Sequence, residues 1–216
     1  MQLAVFDLDG TITRRDTLLP YVTGYLNRQR WRGWPGMLRV VPTAARFALG
    51  RADHGQLKAS FIKATLAGST RSELSHWTEE FVRALLEDGL FGDARAKIST
   101  HRGAGDRLVL MSASTDLYVP AVARALGFHE VICTALRWDG DRLRGDLATP
   151  NCRGPEKTRC LRELQQRYPD LRSVAYGNAC SDIDHLQAAT QGFLVNGASN
   201  ARQMAAAVGV ACVSWH

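Results

Sequence analysis

Two aspartates, Asp7 and Asp9, follow the short apolar run that opens the sequence, and they are the first residues that could do chemistry. Two carboxylates so close together repel each other, so both remain ionised only when a cation lies nearby. One carboxylate could act as a nucleophile and the other as a general acid and base. The pair therefore indicates a reaction at an electrophile, assisted by a metal ion or a basic side chain.

Three later points of the chain add further polar groups. Ser112–Ser114 follow a second apolar run, Lys157 follows a Gly-Pro turn at the start of a predicted helix, and Asn178 and Asp182 follow a third apolar run. Small hydroxyl residues that lead into a helix can hold a phosphate with the helix amides. Amide and carboxylate oxygens suit Mg²⁺. Together with the aspartate pair, these groups indicate a phosphoryl-transfer site.

Short strands that alternate with helices must position these residues. The predicted strands are Leu3–Leu8, Arg107–Met111, Ser173–Tyr176, Gly192–Val195 and Val210–Val213, and the predicted helices are Tyr118–Leu126, Lys157–Tyr168 and Asp182–Ala189. A hairpin is predicted over Val131–Leu147, with its turn at Asp139-Gly140. This alternation predicts an α/β fold with a doubly wound, mostly parallel sheet. Ligands bind at the carboxyl ends of the strands in such sheets, which is where the polar residues lie.

Composition and length narrow the class of protein. The chain has 216 residues, of which 45% are hydrophobic and 22% charged, so disordered, collagen-like and small disulfide-stabilised classes are excluded. Its five cysteines form no C-x-x-C pair, which favours free thiols. No apolar run approaches the roughly 18 residues of a membrane span, and no signal peptide opens the chain. We therefore expect a cytoplasmic protein.

The four polar positions resemble, in type and order, the four motifs of the haloacid dehalogenase-like hydrolases. The matching residues are Asp7-Leu8-Asp9-Gly10-Thr11, Ser112, Lys157 and Gly177-x4-Asp182. Within that superfamily the chain looks like the phosphoserine-phosphatase-like subclass, through Phe6–Thr13, Met111–Ser114 and Asn151-Cys152-x-Gly154. The resemblance covers the chain up to about residue 14 and again from about residue 89 to the end.

This resemblance implies a role for each matching residue. Asp7 would be the nucleophile that forms an aspartyl-phosphate, and Asp9 would protonate the leaving alcohol and then activate water. The phosphoryl oxygens would be held by Ser112, Ala113 and Lys157. Mg²⁺ would be bound by Asp7, Asp9, Asn178 and Asp182. Asp16 would lie near the mouth of the site, where it could contact the substrate.

The resemblance also implies a division into two parts. Residues 1–14 and 89–216 would form the catalytic core, and residues 15–88 would form an all-helical cap subdomain over the site. Helical spacing of apolar residues over Gly55–Leu66 and Thr70–Leu86 agrees with such an insertion, and Ser72 and Ser75 are candidate helix caps.

One motif position departs from the family pattern, because Asn178 stands where an acid is usual. An asparagine oxygen can still coordinate Mg²⁺, but the change removes one negative charge and should weaken binding. Three explanations stay open: natural tuning of the metal site, a substitution introduced to slow turnover, and lost activity. We expect the first, since the other motif residues are intact.

The expected function is therefore Mg²⁺-dependent hydrolysis of a small phosphomonoester, phosphoserine-like or another alcohol phosphate. One alternative is a phosphotransferase that passes the phosphoryl group to an alcohol other than water. The other is a catalytically weak protein that binds a phosphorylated metabolite. The sequence leaves the physiological ester and the oligomeric state open.

Positive charge is concentrated between Arg14 and Lys63, which hold ten basic and two acidic residues. This segment could be a solvated helical face, or it could recruit a polyanionic or carboxylated phosphate ester. A third interpretation is weak contact with an anionic membrane through an amphipathic helix. The apolar residues that suggest it are Trp31, Trp34, Met37, Leu38, Val40, Val41 and Phe47, among Arg32, Arg39 and Arg46. No nucleic-acid-binding motif is recognisable, so no nucleic-acid partner is expected.

Overall fold

The fold is known from a computed structural model that describes residues 1–29 and 38–216. Within these residues the strands are β1 Gln2–Phe6, β2 Arg107–Thr115, β3 Glu130–Thr134, β4 Leu136–Asp139, β5 Arg142–Leu147, β6 Arg172–Gly177, β7 Gln191–Val195 and β8 Ala211–Val213. The helices are α1 Leu18–Arg28, α2 Val41–Ala48, α3 His54–Leu66, α4 Arg71–Asp88, α5 Gly92–Gly103, α6 Val119–Leu126, α7 Pro155–Arg167, α8 Ile183–Ala188 and α9 Ser199–Ala207.

Six of these strands form one parallel sheet in the order β3-β2-β1-β6-β7-β8. Successive residues of a strand point to opposite faces. Ala4 and Phe6 accordingly join one apolar core, and Leu3 and Val5 join a second core on the other face. Burial on both faces explains why β1 is apolar throughout instead of alternating. The predicted fold class, a doubly wound parallel sheet with helices on both faces, is confirmed.

The order of the strands decides which loops meet. β1 pairs with β2 on one side and with β6 on the other. The carboxyl ends of these three strands therefore lie side by side at one edge of the sheet, although more than 90 residues separate the first strand from the second.

Two local predictions need correction. The predicted hairpin over Val131–Leu147 is formed only by β4 and β5, whereas residues 130–134 pair with β2 in the main sheet. The helix predicted from Tyr118 begins at Val119, and β2 runs on to Thr115, so Ser112 lies within a strand and not at a helix start.

Helices α1–α4, here called the helical insertion, lie between β1 and α5 in the chain. Capping boxes begin two of them: Asp53 with Gln56 at α3, and Thr70 with Glu73 at α4. The true N-cap of α4 is thus Thr70, and the proposed caps Ser72 and Ser75 are wrong. The insertion packs on the sheet domain through Tyr21, whose ring lies 4.7 Å from that of Tyr118.

α3 also packs closely against the hairpin. A Cβ on Gly145 of β5 would lie 2.6 Å from the Lys63 Cα, and Gly145 has φ of +86°. Only glycine allows both the backbone conformation and this approach.

In the described part of the chain, no helix is long and apolar enough to cross a membrane.

Candidate active site

A cavity of about 190 Å³ opens where β1, β2 and β6 end. The residues predicted from the sequence that line it are Asp7, Asp9, Asp16, Ala113, Lys157, Asn178 and Asp182. They come from three strand ends, the first turn of α7 and the start of the helical insertion. Residues as far apart in the chain as 7 and 182 therefore share one cavity.

Lys157 lies between two carboxylates at the base of this cavity. Its Nζ donates to Asp7 Oδ1 at 2.6 Å and to Asp182 Oδ1 at 2.8 Å, and all three side chains are buried. Burial lowers the pKa of Lys157, but Asp7 and Asp182 outweigh it and raise the pKa above its ordinary value. Lys157 is therefore a fixed positive charge against Asp7.

The pKa values of the two buried carboxylates shift in opposite directions. It raises the pKa of Asp7, and the nearby Asp182 and Asp9 carboxylates add to the increase, although Lys157 opposes it. Burial also raises the pKa of Asp182, but Lys157 and backbone donors overcome this and hold the pKa at about 2. Asp182 therefore stays ionised, and Asp7 is the more basic of the two.

Asp9 is oriented by hydroxyl and backbone donors. The Thr17 backbone N–H and hydroxyl donate to Asp9 Oδ1 at 2.8 and 2.6 Å, and the Ser114 hydroxyl donates to Oδ2 at 2.6 Å. Burial raises the pKa of Asp9 despite these hydrogen bonds. A carboxyl group with a raised pKa can exchange a proton nearer neutral pH, as a general acid and base must. Because Thr17 directly precedes α1, Asp9 also links the core to the helical insertion.

Ser112 does not line the cavity. Its side chain is fully buried, and its Oγ accepts a hydrogen bond from the Ser114 backbone N–H at 3.0 Å. The cavity wall at this strand end is formed by Ala113 and Ser114. Ser112 therefore supports the strand backbone behind the wall, a role that sequence spacing could not distinguish from direct contact.

Asn178 lies against the loop that follows β1. A Cβ on Gly10 would be 2.0 Å from Asn178 Nδ2, and Gly10 has φ of +76°, so glycine alone is accommodated there. Asp182 Oδ2 accepts from the backbone N–H groups of Asn178 and Ala179 at 3.1 and 3.0 Å. Asp182 thus orders the Asn178 loop, and its carboxylate makes no capping hydrogen bond to α8.

The oxygen atoms that line the cavity suit a divalent cation in their chemistry, although they are not arranged as a complete metal site. No group of three or more His, Cys, Asp or Glu side chains among the described residues is arranged to hold a metal. The cavity nevertheless gathers carboxylate and amide oxygens, and Lys157 offsets only one of the charges on Asp7, Asp9 and Asp182. Excess negative charge in a buried site favours a cation, and oxygen donors are the ligands Mg²⁺ prefers.

Four basic or amide side chains at this cavity were not predicted as site residues, namely His54, Lys58, Asn151 and Arg153. Lys58, from α3 of the helical insertion, donates to the Ala113 carbonyl and, at 2.6 Å, to Asn151 Oδ1. Burial lowers the pKa of Lys58 to about 8. Asn151 belongs to a recognised motif and could have been found, whereas Lys58 was one of ten basic residues with no local signal.

Asp16 lies at the cavity as expected, and its Oδ1 accepts from the Leu18 backbone N–H at 3.0 Å. The cavity wall near the helical insertion thus carries one carboxylate besides the basic groups of Lys58, Arg153 and His54.

A parallel α/β core with acidic strand ends and a buried lysine defines a hydrolase of the haloacid dehalogenase type. The family model described as haloacid dehalogenase-like hydrolase matches residues 4–187, and the chain belongs to this family. The family that the motifs indicated is confirmed, and the phosphatase class of enzyme is supported by the names of relatives.

The chain is similar to Protein CicA from Caulobacter vibrioides, with 34% identity over 195 residues, which cover 88% of this chain and 83% of that protein. It is 28% identical over 207 residues to phosphoserine phosphatase SerB2 of Mycobacterium tuberculosis, covering 94% of this chain and 46% of SerB2. A solved structure of unknown function from Bordetella pertussis Tohama I matches with a TM-score of 0.83 and 25% identity, covering 98% of this chain and 97% of that one.

Proposed function

We propose that the protein hydrolyses phosphomonoesters through an aspartyl-phosphate formed on Asp7. The observation that carries this proposal is the pairing of Asp7 Oδ1 with buried Lys157, beside Asp9, in a cavity at the strand ends. Asp7 Oδ2 accepts only the longer 3.1 Å hydrogen bond of Thr11 among the described contacts, so this oxygen is the nucleophilic atom. The relative named a phosphatase supports the same reaction class.

The reaction then divides between the two aspartates. Asp7 attacks phosphorus, the bond from phosphorus to the alcohol oxygen breaks, and protonated Asp9 gives its proton to that oxygen. Asp9, now ionised, takes a proton from water as the water attacks the phosphoryl group, which restores Asp7 and releases phosphate. Lys157 offsets the negative charge that develops, and Lys157 and the backbone N–H of Ala113 hold phosphoryl oxygens.

Mg²⁺ fits the oxygen donors of Asp7, the Asp9 carbonyl, Asn178 and Asp182, and would supply neutralisation of the phosphoryl charge. We further propose that residues 15–88 act as a cap subdomain over the core formed by 1–14 and 89–216. Closure of this subdomain would exclude bulk water, with residues 14–17 as a hinge. The Asp9–Thr17 hydrogen bonds would couple closure to the acid and base group.

Hydrolysis of 4-nitrophenyl phosphate by the purified protein, with Mg²⁺ added stepwise, tests this function. A rate that requires the metal supports a phosphatase. A product phosphorylated on an added alcohol, with little free phosphate, would indicate a phosphotransferase instead. Tight binding of phosphorylated metabolites without turnover would indicate a binding protein.

Restoring the usual acid at position 178 tests the metal site. Asn178→Asp adds one anionic oxygen donor, so we expect half-maximal activity at about tenfold lower Mg²⁺. The shift in melting temperature on adding Mg²⁺ should move to lower concentrations in parallel, which is a readout independent of turnover. Ser181→Asp, on the same loop and cavity, adds the same charge and is the control. Equal effects of both variants would mean that charge alone, and not ligation at 178, is responsible.

Lys58 supports a substrate whose leaving group carries a second anion. The Lys58 ammonium lies at the cavity wall. The pKa of His54, on the same wall, is lowered first by burial and then by the positive charges of Arg153 and Lys58. This part of the cavity wall therefore carries more basic side chains, from Lys58, Arg153 and His54, than acidic ones, from Asp16. We therefore expect 3-phosphoglycerate to be hydrolysed with a higher kcat/KM than glycerol 3-phosphate, which lacks the carboxylate.

Lys58 should also make the preference for 3-phosphoglycerate over glycerol 3-phosphate depend on pH. The groups around Lys58 are Asp9, Asp16, Cys152, Arg153 and His54. With a pKa of about 8, Lys58 is charged below that pH and neutral above it, so the preference for 3-phosphoglycerate should decline as pH rises through 8. Lys58→Met should lower the ratio of the two kcat/KM values about tenfold and abolish the decline. Lys63→Met, on the exposed side of the same helix, is the matched control.

A further inference from the structure

The helix α2 and the residues that flank it expose large apolar side chains to an unusual extent. Leu38, Val41 and Leu49 are 76%, 59% and 67% exposed, and no residue of α2 is buried. The helix packs on α3 through its half-buried side, where the rings of Phe47 and His54 lie 4.8 Å apart. The apolar residues on the other side therefore face outwards.

Arginines accompany these apolar residues. Arg39, Arg46 and Arg51 are exposed in the same stretch, and the sequence has no acidic residue between Arg28 and Ala52. We call Leu38, Val41, Leu49 and these three arginines the α2 surface. Trp31, Trp34, Met37 and Arg32, which the sequence also suggested, lie outside the described residues, and Val40 and Phe47 are on the half-buried side.

The α2 surface combines apolar and basic side chains and has no acidic ones. A partner that matches it must therefore offer both negative charge and an apolar phase. A bilayer with anionic lipids offers negative headgroups to the arginines and acyl chains to the leucines and valine. We propose that the α2 surface binds an anionic membrane. This inference goes beyond hydrolysis and stands on the surface alone.

The position of this surface relates it to the cavity. His54, which contacts Phe47 of α2, lines the catalytic cavity. Binding through the α2 surface therefore places a helix that contacts the cavity lining against the membrane. A phosphomonoester carried on a lipid would then reach the site without leaving the membrane.

Co-sedimentation with vesicles tests the proposal without any need for activity. The full chain should bind vesicles of phosphatidylcholine mixed equally with phosphatidylglycerol, and should bind vesicles of phosphatidylcholine alone far more weakly. The triple variant Arg39→Gln, Arg46→Gln, Arg51→Gln should lose about a hundredfold in partition to the anionic vesicles, or roughly fivefold for each arginine. The triple variant Leu38→Ser, Val41→Ser, Leu49→Ser should lose at least about tenfold.

A matched control removes three exposed arginines from core helices. Arg95→Gln, Arg162→Gln and Arg202→Gln change the net charge equally, so their combined variant should lose less than about fivefold. Equal losses in the two arginine variants would overturn the proposal, as would absence of binding to anionic vesicles. A wild-type dimer that the α2 variants make monomeric, together with no vesicle binding, would show that a second copy of the chain covers this surface.

Discussion

Asp7→Asn is expected to abolish phosphomonoester hydrolysis while leaving the fold intact. The substitution keeps the shape of the side chain but removes the nucleophilic oxygen, and we expect the rate to fall by at least about ten-thousandfold. Lys157 keeps its hydrogen bond to Asp182 in the variant, so the buried ammonium remains paired. Rates with 4-nitrophenyl phosphate, together with the thermal unfolding curve, measure both parts of this prediction.

A second readout follows the covalent step itself. Acid-quenched wild-type protein should retain phosphate from a radioactive ester, and Asp7→Asn should retain none. Asp116→Asn is the control, because this partly buried carboxyl lies outside the cavity and should leave both measurements near the wild-type values. Phosphate retained on the Asp7→Asn variant would place the nucleophile elsewhere.

Lys157→Met should be the most destabilising of the substitutions proposed and should also remove activity. Methionine fills the space of the lysine stem but leaves the Asp7 and Asp182 carboxylates buried without their shared cation. Breaking a buried ion pair in this way costs about 3–5 kcal/mol in the free energy of unfolding. Activity should fall at least about a thousandfold, because phosphoryl charge is no longer offset.

The loss of stability should depend on pH. In the wild type the pKa of Asp182 is held at about 2, below its ordinary value, so its stabilising effect is present at neutral pH and is lost only as pH falls through 2. Without Lys157, burial raises the pKa of Asp182 above its ordinary value and raises the pKa of Asp7 further than in the wild type. The folded variant then binds more protons than the unfolded chain, so its stability should fall as pH rises from about 5 to about 8.

Arg159→Met, on the same helix, is the control for Lys157→Met. Arg159 is paired with Glu156 and Glu163 but is exposed, so its removal should change the unfolding midpoint little. Denaturant unfolding at several pH values measures all three proteins. If Lys157→Met were as stable as the Arg159 variant at every pH, Asp7 and Asp182 would not depend on Lys157 for their charge.

Much of the scaffold could be predicted because its signals are local. The apolar run over Leu3–Phe6, followed at once by Asp7 and Asp9, indicates a buried parallel strand with acids at its carboxyl end. The alternation of such runs with helical spacing predicted the sheet. The motif spacing then predicted that Lys157, Asn178 and Asp182 would join Asp7, and the geometry brings them to one cavity.

Other features depend on where a strand or helix ends, and local patterns indicate these limits poorly. β2 continues to Thr115, so Ser112 is buried within the strand while Ser114 bonds to Asp9. In a regular strand, residues two apart such as Ser112 and Ser114 point to the same face. The pairing register of β2 shifts between Ser112 and Thr115, and the sequence does not indicate this irregularity or which serine faces the cavity. Residues 131–134, which the sequence predicts as part of the hairpin, also pair with β2, because the sequence does not indicate where one strand ends and the next begins.

The sequence by itself therefore determined the family, the presence of polar residues at the ends of apolar strands and the reaction class these residues suit, because residue type and short-range spacing carry that information. Only the tertiary structure decided which groups interact, as with Lys58 and Asn151, which lie 93 residues apart, and Lys157 and Asp7, which lie 150 apart. Burial and neighbouring charge also decide that Asp182 stays ionised while the pKa of Lys58 falls. Both are properties of packing between distant segments, so no local pattern of residues encodes them.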